Sequence, residues 1–149
     1  MQLITLDFET YWAADYTLSK MSTEAYVRDD RFYAHGVGIK IDSEPATWYP
    51  DEEVPMVMAC LDIENSAVLV HHAHFDGFIL SHVYDRRPKL WLDTLSMGRA
   101  LHGVEMGLGL DKLAKYYALG GKLSDGVNNT KEVLRLSREQ SNRLGEYFR

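Results

Sequence analysis

Only one cysteine, Cys60, occurs in 149 residues, which excludes an intrachain disulfide and a cysteine-based zinc site and fits a reducing compartment. Long apolar runs are missing as well. None approaches the roughly 18–20 residues that a membrane helix needs, and no basic segment followed by an apolar stretch opens the chain. The expectation is a soluble, cytoplasmic protein with no membrane partner. Disorder is excluded by what is abundant, 46% hydrophobic and 11% aromatic residues. A chain of this size buries roughly 68–70% of its unfolded surface, enough for one core over residues 1–149 without disulfide or structural metal.

Positive charge is scarce, and the formal net charge of −6 argues against nucleic acid as a partner. Its distribution weakens that argument. Residues 1–85 carry 4 basic and 15 acidic side chains, a net of −11, whereas residues 86–149 carry 12 basic and 7 acidic ones, a net of +5. An acidic site and a basic surface can therefore coexist in one domain.

The pattern along the chain is that of an α/β domain with a mixed sheet. Residues 2–8 alternate as a strand, and 35–42 and 46–49 read as two more around the turn-like 42–45, so the early order is strand, strand, strand. Asp51, Glu52 and Glu53 precede Val54 and Pro55 as an acid-capped helix start. Residues 67–71 form a nearly all-apolar, β-branched run that suits a strand covered on both faces. Phe75, Phe78, Ile79, His82 and Val83 then recur at helical spacing. A short strand at 91–93 leads into a helix at Thr94. A second helix spans Leu110 to Tyr117 and stops at Gly120-Gly121, residues 126–129 form a loop, and Ser137 with Gln140 gives a capping-box signal for a final helix.

Three acids stand out. In a strand, Asp7 and Glu9 project from one face about 6.6 Å apart along the chain, while Leu6 and Phe8 face the other way. Two carboxylates so placed repel each other, and a hard divalent cation such as Mg²⁺ or Mn²⁺ relieves that repulsion while leaving room for water and phosphate. Glu9 lying in solvent beyond the strand end, with Asp7 capping a turn, is the plainer reading. Asp76 falls just after the apolar strand and in the first turn of the next helix, where α/β sheets place ligand-handling groups; a helix-start acid that favours the dipole is its plainer role.

Leu6-Asp-Phe-Glu-Thr10, His72-Ala-His-Phe-Asp76 and Trp91-Leu-Asp-Thr-Leu95, in that order, resemble motifs of the DEDD (DnaQ-like) 3′→5′ exonucleases, and in particular the proofreading domain of phage-type family A DNA polymerases. The resemblance covers most of the chain, from Asp7 to Leu119. It implies an RNase H-like mixed sheet flanked by helices, and a site where two divalent ions, Mg²⁺ or Mn²⁺, activate water to hydrolyse the terminal phosphodiester at a single-stranded DNA 3′ end. It makes Asp7, Glu9 and Asp76 metal ligands. Thr10, Tyr11, His72 and Phe75 become candidates for substrate contact, with core packing the simpler role for Phe75, and Asp93 buttresses the site or caps the helix at Thr94. A C-terminal polymerase domain and, for a phage-encoded protein, a place in the host cytoplasm follow from the same resemblance.

One motif departs from the family. Leu144-Gly-Glu-Tyr147 resembles the start of its Tyr-x-x-x-Asp motif, which makes Tyr147 the water-orienting tyrosine and puts the last acid four residues later, past Arg149. The expectation is an exonuclease domain cut short of its final ligand and weakly active as it stands; on residues alone, Tyr147 is a core aromatic beside Leu144 and Phe148. His71, His72 and His74 raise zinc as a competitor, but His71 and His72 would point to opposite faces of a continued strand, and local hydrogen bonding is the better reading. In the family, the position of His72 is usually asparagine. Arg86, Arg87, Lys89, Lys112 and Lys115 are candidate phosphate contacts. Competing functions are a free-standing DEDD nuclease acting on short RNA and a non-catalytic nucleic-acid-binding module with an incomplete site.

Overall fold

Strand β1, Leu3–Thr10, alternates as its sequence requires: Ile4, Leu6, Phe8 and Thr10 are buried, Asp7 is exposed and Glu9 half-buried. In the computed structural model, which describes residues 1–103, 105–120, Gln140 and Arg143, this strand is the centre of a five-stranded sheet of order β3-β2-β1-β4-β5. Strands β2 (Ala34–Ile41) and β3 (Thr47–Pro50) follow antiparallel on one side. Strands β4 (Ala67–Val70) and β5 (Leu90–Asp93) lie parallel to β1 on the other. The helices that accompany the sheet include α1 (Thr23–Arg28), α2 (Val54–Cys60), α3 (Ala73–His82), α4 (Thr94–His102) and α5 (Leu110–Tyr116), with a 3-10 turn at Ile63–Asn65.

The core forms on the apolar face of β1. Ile4, Leu6 and Phe8 meet Val37 and Ile39 of β2, Val68 and Val70 of β4, and the inward residues of α1, α2 and α3. Each fully buried aliphatic side chain contributes about 1.5–3 kcal/mol relative to exposure. None of the helices among the described residues is long and apolar enough to cross a membrane.

Three expectations change. The early order is not three strands in succession, because α1 intervenes between β1 and β2. Its signal was local: the Ser22 hydroxyl caps the helix by accepting from the Ala25 N–H at 3.1 Å, and Thr23, Tyr26 and Val27 turn inward at helical spacing. Helix α2 starts with Pro55 in its first turn as expected, but the acid at its cap position does not cap it. Glu53 stands at the cap position in helical conformation without a side-chain bond, and Asp51 instead accepts from the Tyr33 hydroxyl. Helix α5 ends at Tyr116, ahead of the glycines, with Ala118 in the left-handed region at φ 55°.

Candidate active site

Strand pairing puts glycine opposite both acids of β1. Asp7 pairs with Gly38 and Glu9 with Gly36, so no side chain stands directly opposite either carboxylate on β2. At Gly36 β3 comes close: a Cβ there would overlap the Trp48 ring and the Tyr49 carbonyl. Trp48 pairs with Gly38, which places the indole on the same face of the sheet as Asp7 and Glu9. Sequence reasoning passed over Trp48, because the register that puts it in the acids' row is set by pairing across three strands.

Asp76 reaches the same neighbourhood from another element. The N–H and carbonyl of Leu3 bond to Asp42, just past β2, so the backbone of residues 3, 5, 7 and 9 points to β2 and that of 4, 6 and 8 points to β4. Strand β4 pairs with β1 only as far as Thr5. The Phe8 N–H lies beyond that point, and Asp76 Oδ1 accepts it at 3.0 Å. A carboxylate thus completes the ladder where a strand leaves off, satisfying a backbone group that burial would otherwise orphan. Asp76 is only 2% exposed, so it is far more than a solvated helix-start acid.

Electrostatics tie the three acids together. Burial holds the Asp76 carboxyl well above its ordinary range; the charge of Asp7 raises it further, the Phe8 N–H pulls it down, and the charge of Glu9 raises it again. Buried negative charge beside two more carboxylates is unstable without a proton or a cation. The donor set is all hard oxygen, which fits Mg²⁺ or Mn²⁺. The acids are coupled through space but not gathered into a closed cage: among the described residues no three His, Cys, Asp or Glu side chains stand in ligating geometry together.

The turn from β4 into α3 is held by Asp93. Strand β4 stops at Val70, and His72, at φ 84°, occupies a left-handed position before α3. Asparagine and histidine both tolerate that conformation better than most residues, a physical reason for either to stand at this point. The His72 N–H donates to Asp93 Oδ1 at 2.8 Å, the Leu95 N–H to the same oxygen at 3.0 Å and the Ser96 hydroxyl to Oδ2 at 2.7 Å. Burial pushes the Asp93 carboxyl up, but the Ser96 hydroxyl and the N–H groups of His72, Leu95 and Ala73 outweigh it and hold it below its usual range. Asp93 therefore caps α4 and also braces the segment that carries Asp76. The His71 ring bonds Thr94 Oγ1 through Nδ1 at 2.8 Å, and the rings of His72 and His74 lie 6.1 Å apart. Among the described residues the histidines belong to no group of three His, Cys, Asp or Glu that could hold a metal ion.

The other expected contacts sort by face. The Thr10 side chain is buried and bonds the Tyr26 hydroxyl at 2.9 Å. Tyr11 stacks on Tyr16 at 5.8 Å, and Phe75 packs against Tyr26 at 5.9 Å, the core role. Arg86 bonds the Leu61 carbonyl and Glu64, both at 2.8 Å, and Lys115 pairs with Asp111 at 2.7 Å in an exposed i,i+4 pair. Gln140 and Arg143, within the expected final helix, are helical; Tyr147, the rest of that helix and the loop at 126–129 lie outside the described residues.

No protein-family model matches the chain, and no curated protein matches it. Solved structures do. NrnC of Brucella melitensis is similar over 98% of this chain at a TM-score of 0.63 and 18% identity. The same protein with bound Mg²⁺ gives 0.61 at 16% identity, and bound to pGG it gives 0.62 at 16%. The fold is RNase H-like. The chain spans 66% of the length of NrnC, and the apo form of a nuclease is similar at a TM-score of 0.60 and 14% identity.

Proposed function

We propose that this chain carries the site of a metal-dependent nuclease that removes nucleotides from the 3′ end of short oligonucleotides, with Asp7, Glu9 and Asp76 as its metal ligands. The observation that carries this reading is the buried carboxylate of Asp76, held against the β1 backbone and repelled by Asp7 and Glu9. Two divalent cations bound there would activate water and offset charge on the phosphate and the leaving 3′ oxygen. The chain's own residues do the placing. Strand β1 presents Asp7 and Glu9 on one face, and the Phe8 N–H fixes Asp76 beside them. Asp93 holds the turn ahead of α3, and Trp48 offers an aromatic surface in the same row, a sequence-tolerant platform for a base.

Short oligonucleotides are favoured over a polymerase-linked DNA strand because a neighbour of the same fold is bound to pGG; the Mg²⁺-bound neighbour supports the cation. Proofreading within a DNA polymerase rests on the sequence motifs alone. The last acid, four residues past Tyr147, belongs to this proposal and not to the described structure.

The decisive experiment presents 5′-labelled RNA and DNA oligonucleotides of two to five residues, and longer single-stranded DNA, to the full-length gene product in EDTA, Mg²⁺ and Mn²⁺. The expected result is cation-dependent shortening from the 3′ end, with short oligonucleotides preferred. Asp7→Asn should lower the rate by at least about 100-fold, the scale on which removal of one electrostatic catalytic group acts, with an unchanged circular dichroism spectrum. Wild-type turnover by a folded Asp7→Asn protein rejects the site, and preference for long DNA restores the polymerase-linked reading.

A further inference from the structure

We infer that Tyr26 of α1 is a positioning residue for the acid site: its hydroxyl fixes the end of β1 next to Glu9, and its ring fixes Phe75 next to Asp76. The inference rests on the nuclease reading above and deepens it.

The hydroxyl has two partners. It donates to the Tyr11 carbonyl, which uses its only proton, so at the 2.9 Å contact with Thr10 Oγ1 the threonine must be the donor. Both partners lie directly after Glu9, where the register with β2 shifts between Glu9 and Thr10. An irregularity of this kind bends a strand and interrupts its ladder. Beyond it the Tyr11 N–H donates to the Tyr33 carbonyl at 2.8 Å, and the Tyr26 hydroxyl adds a second tether from the helix side. Glu9 is close enough for its charge to push the Tyr26 ionisation upward, after burial has raised it and the Thr10 bond has lowered it.

The ring is held with equal care. Tyr26 is 2% exposed, stacks on Tyr16 at 4.3 Å and 8°, and meets Phe32 edge-on at 6.2 Å. The Tyr16 hydroxyl donates to the Tyr26 carbonyl at 2.6 Å, pinning the backbone of α1 as well. Against this fixed ring Phe75 packs at 5.9 Å, and the next residue is Asp76. One side chain thus joins the segments that carry Glu9 and Asp76, which are distant in sequence. Packing alone asks only for phenylalanine, and a buried hydroxyl is unfavourable unless bonded; the two bonds are what the tyrosine adds.

The test uses the full-length protein with Tyr26→Phe and Thr10→Val, singly and together, and reads the Mg²⁺ midpoint of a thermal-shift titration beside kcat and KM. Tyr26→Phe should raise the Mg²⁺ midpoint and lower kcat by about 10-fold or more, the effect of losing a group that orients metal ligands, with KM for the oligonucleotide little changed and the metal-free melting temperature lower by about 2–6 °C, the effect of two buried bonds lost. Thr10→Val should do the same, and the double variant should be no worse than the stronger single one. Should Tyr26→Phe fail to fold, Thr10→Val decides by the same readouts. A wild-type Mg²⁺ midpoint and kcat in the deciding variant, while Asp7→Asn loses both, overturns the positioning role and leaves the nuclease reading intact. Absence of any Mg²⁺ response in the wild-type protein overturns both.

Discussion

Asp76 has a raised proton affinity because the folded chain buries it and sets Asp7 and Glu9 nearby. The sign of the consequence is fixed. With the folded pKa well above the ordinary 3.8, the folded state holds a proton that the unfolded state has already lost, so metal-free stability falls as pH rises from about 4 through the folded value. Melting curves in EDTA should show that decline, and Mg²⁺ at pH 7.5 should reverse it. Asp76→Asn keeps an oxygen for the Phe8 N–H and removes the charge. It should raise the metal-free melting temperature at pH 7.5 by about 2–4 °C, on the order of 1 kcal/mol, abolish the Mg²⁺ response and abolish activity. A metal-free stability unchanged across this pH range rejects the coupling. At this scale Asp7 and Glu9 were legible from alternation in one strand. The burial of Asp76 was not, because its partner is a backbone group 68 residues away.

Among the elements, β2 and β3 pack tightly beside the acids. A methyl group at Gly36 would run into the Trp48 ring and, less forgivingly, the Tyr49 carbonyl. Gly36→Ala should therefore destabilise the protein by about 1–3 kcal/mol, as overpacking does. Gly109→Ala, with ordinary φ and nothing within 4 Å of the added carbon, should stay within about 0.5 kcal/mol. Urea denaturation of the two variants checks both figures, and equal midpoints count against the register described for β2 and β3. Strands β1, β2 and β4 announced themselves through period-2 alternation or a β-branched apolar run. Helix α1 did not, since its six residues sit in a polar and aromatic stretch whose rings stack by long-range contact. The serine cap at Ser22 was the one local clue.

At the scale of the whole molecule, the order of segments along the chain gave an α/β domain with a mixed sheet, whereas the strand order depends on long-range pairing that no segment announces; the likeness to NrnC spans 98% of this chain. The charge asymmetry gave less. Arg86 and Lys115, two of the basic residues expected to meet phosphate, pair with acids within the fold, and a count by sequence says nothing of intramolecular pairing. If an aspartate follows Tyr147 by four residues in the full-length protein, that protein should exceed the 149-residue chain in Mg²⁺-dependent activity by roughly 100-fold, the size of effect expected for one missing electrostatic group. Side-by-side rates on one oligonucleotide measure it, and equal rates remove the fourth acid from the proposal.

The bond between Asp76 and the Phe8 N–H also limits what the carboxylate can do when a cation arrives. A surface acid can swing to follow an ion, whereas this one is moored to the sheet. In the proposed metal site the position of an ion would follow the backbone of β1, and an ion that demands a different separation would have to break that bond. Small octahedral cations, which tolerate little variation in ligand distance, are the ones such a mooring would favour.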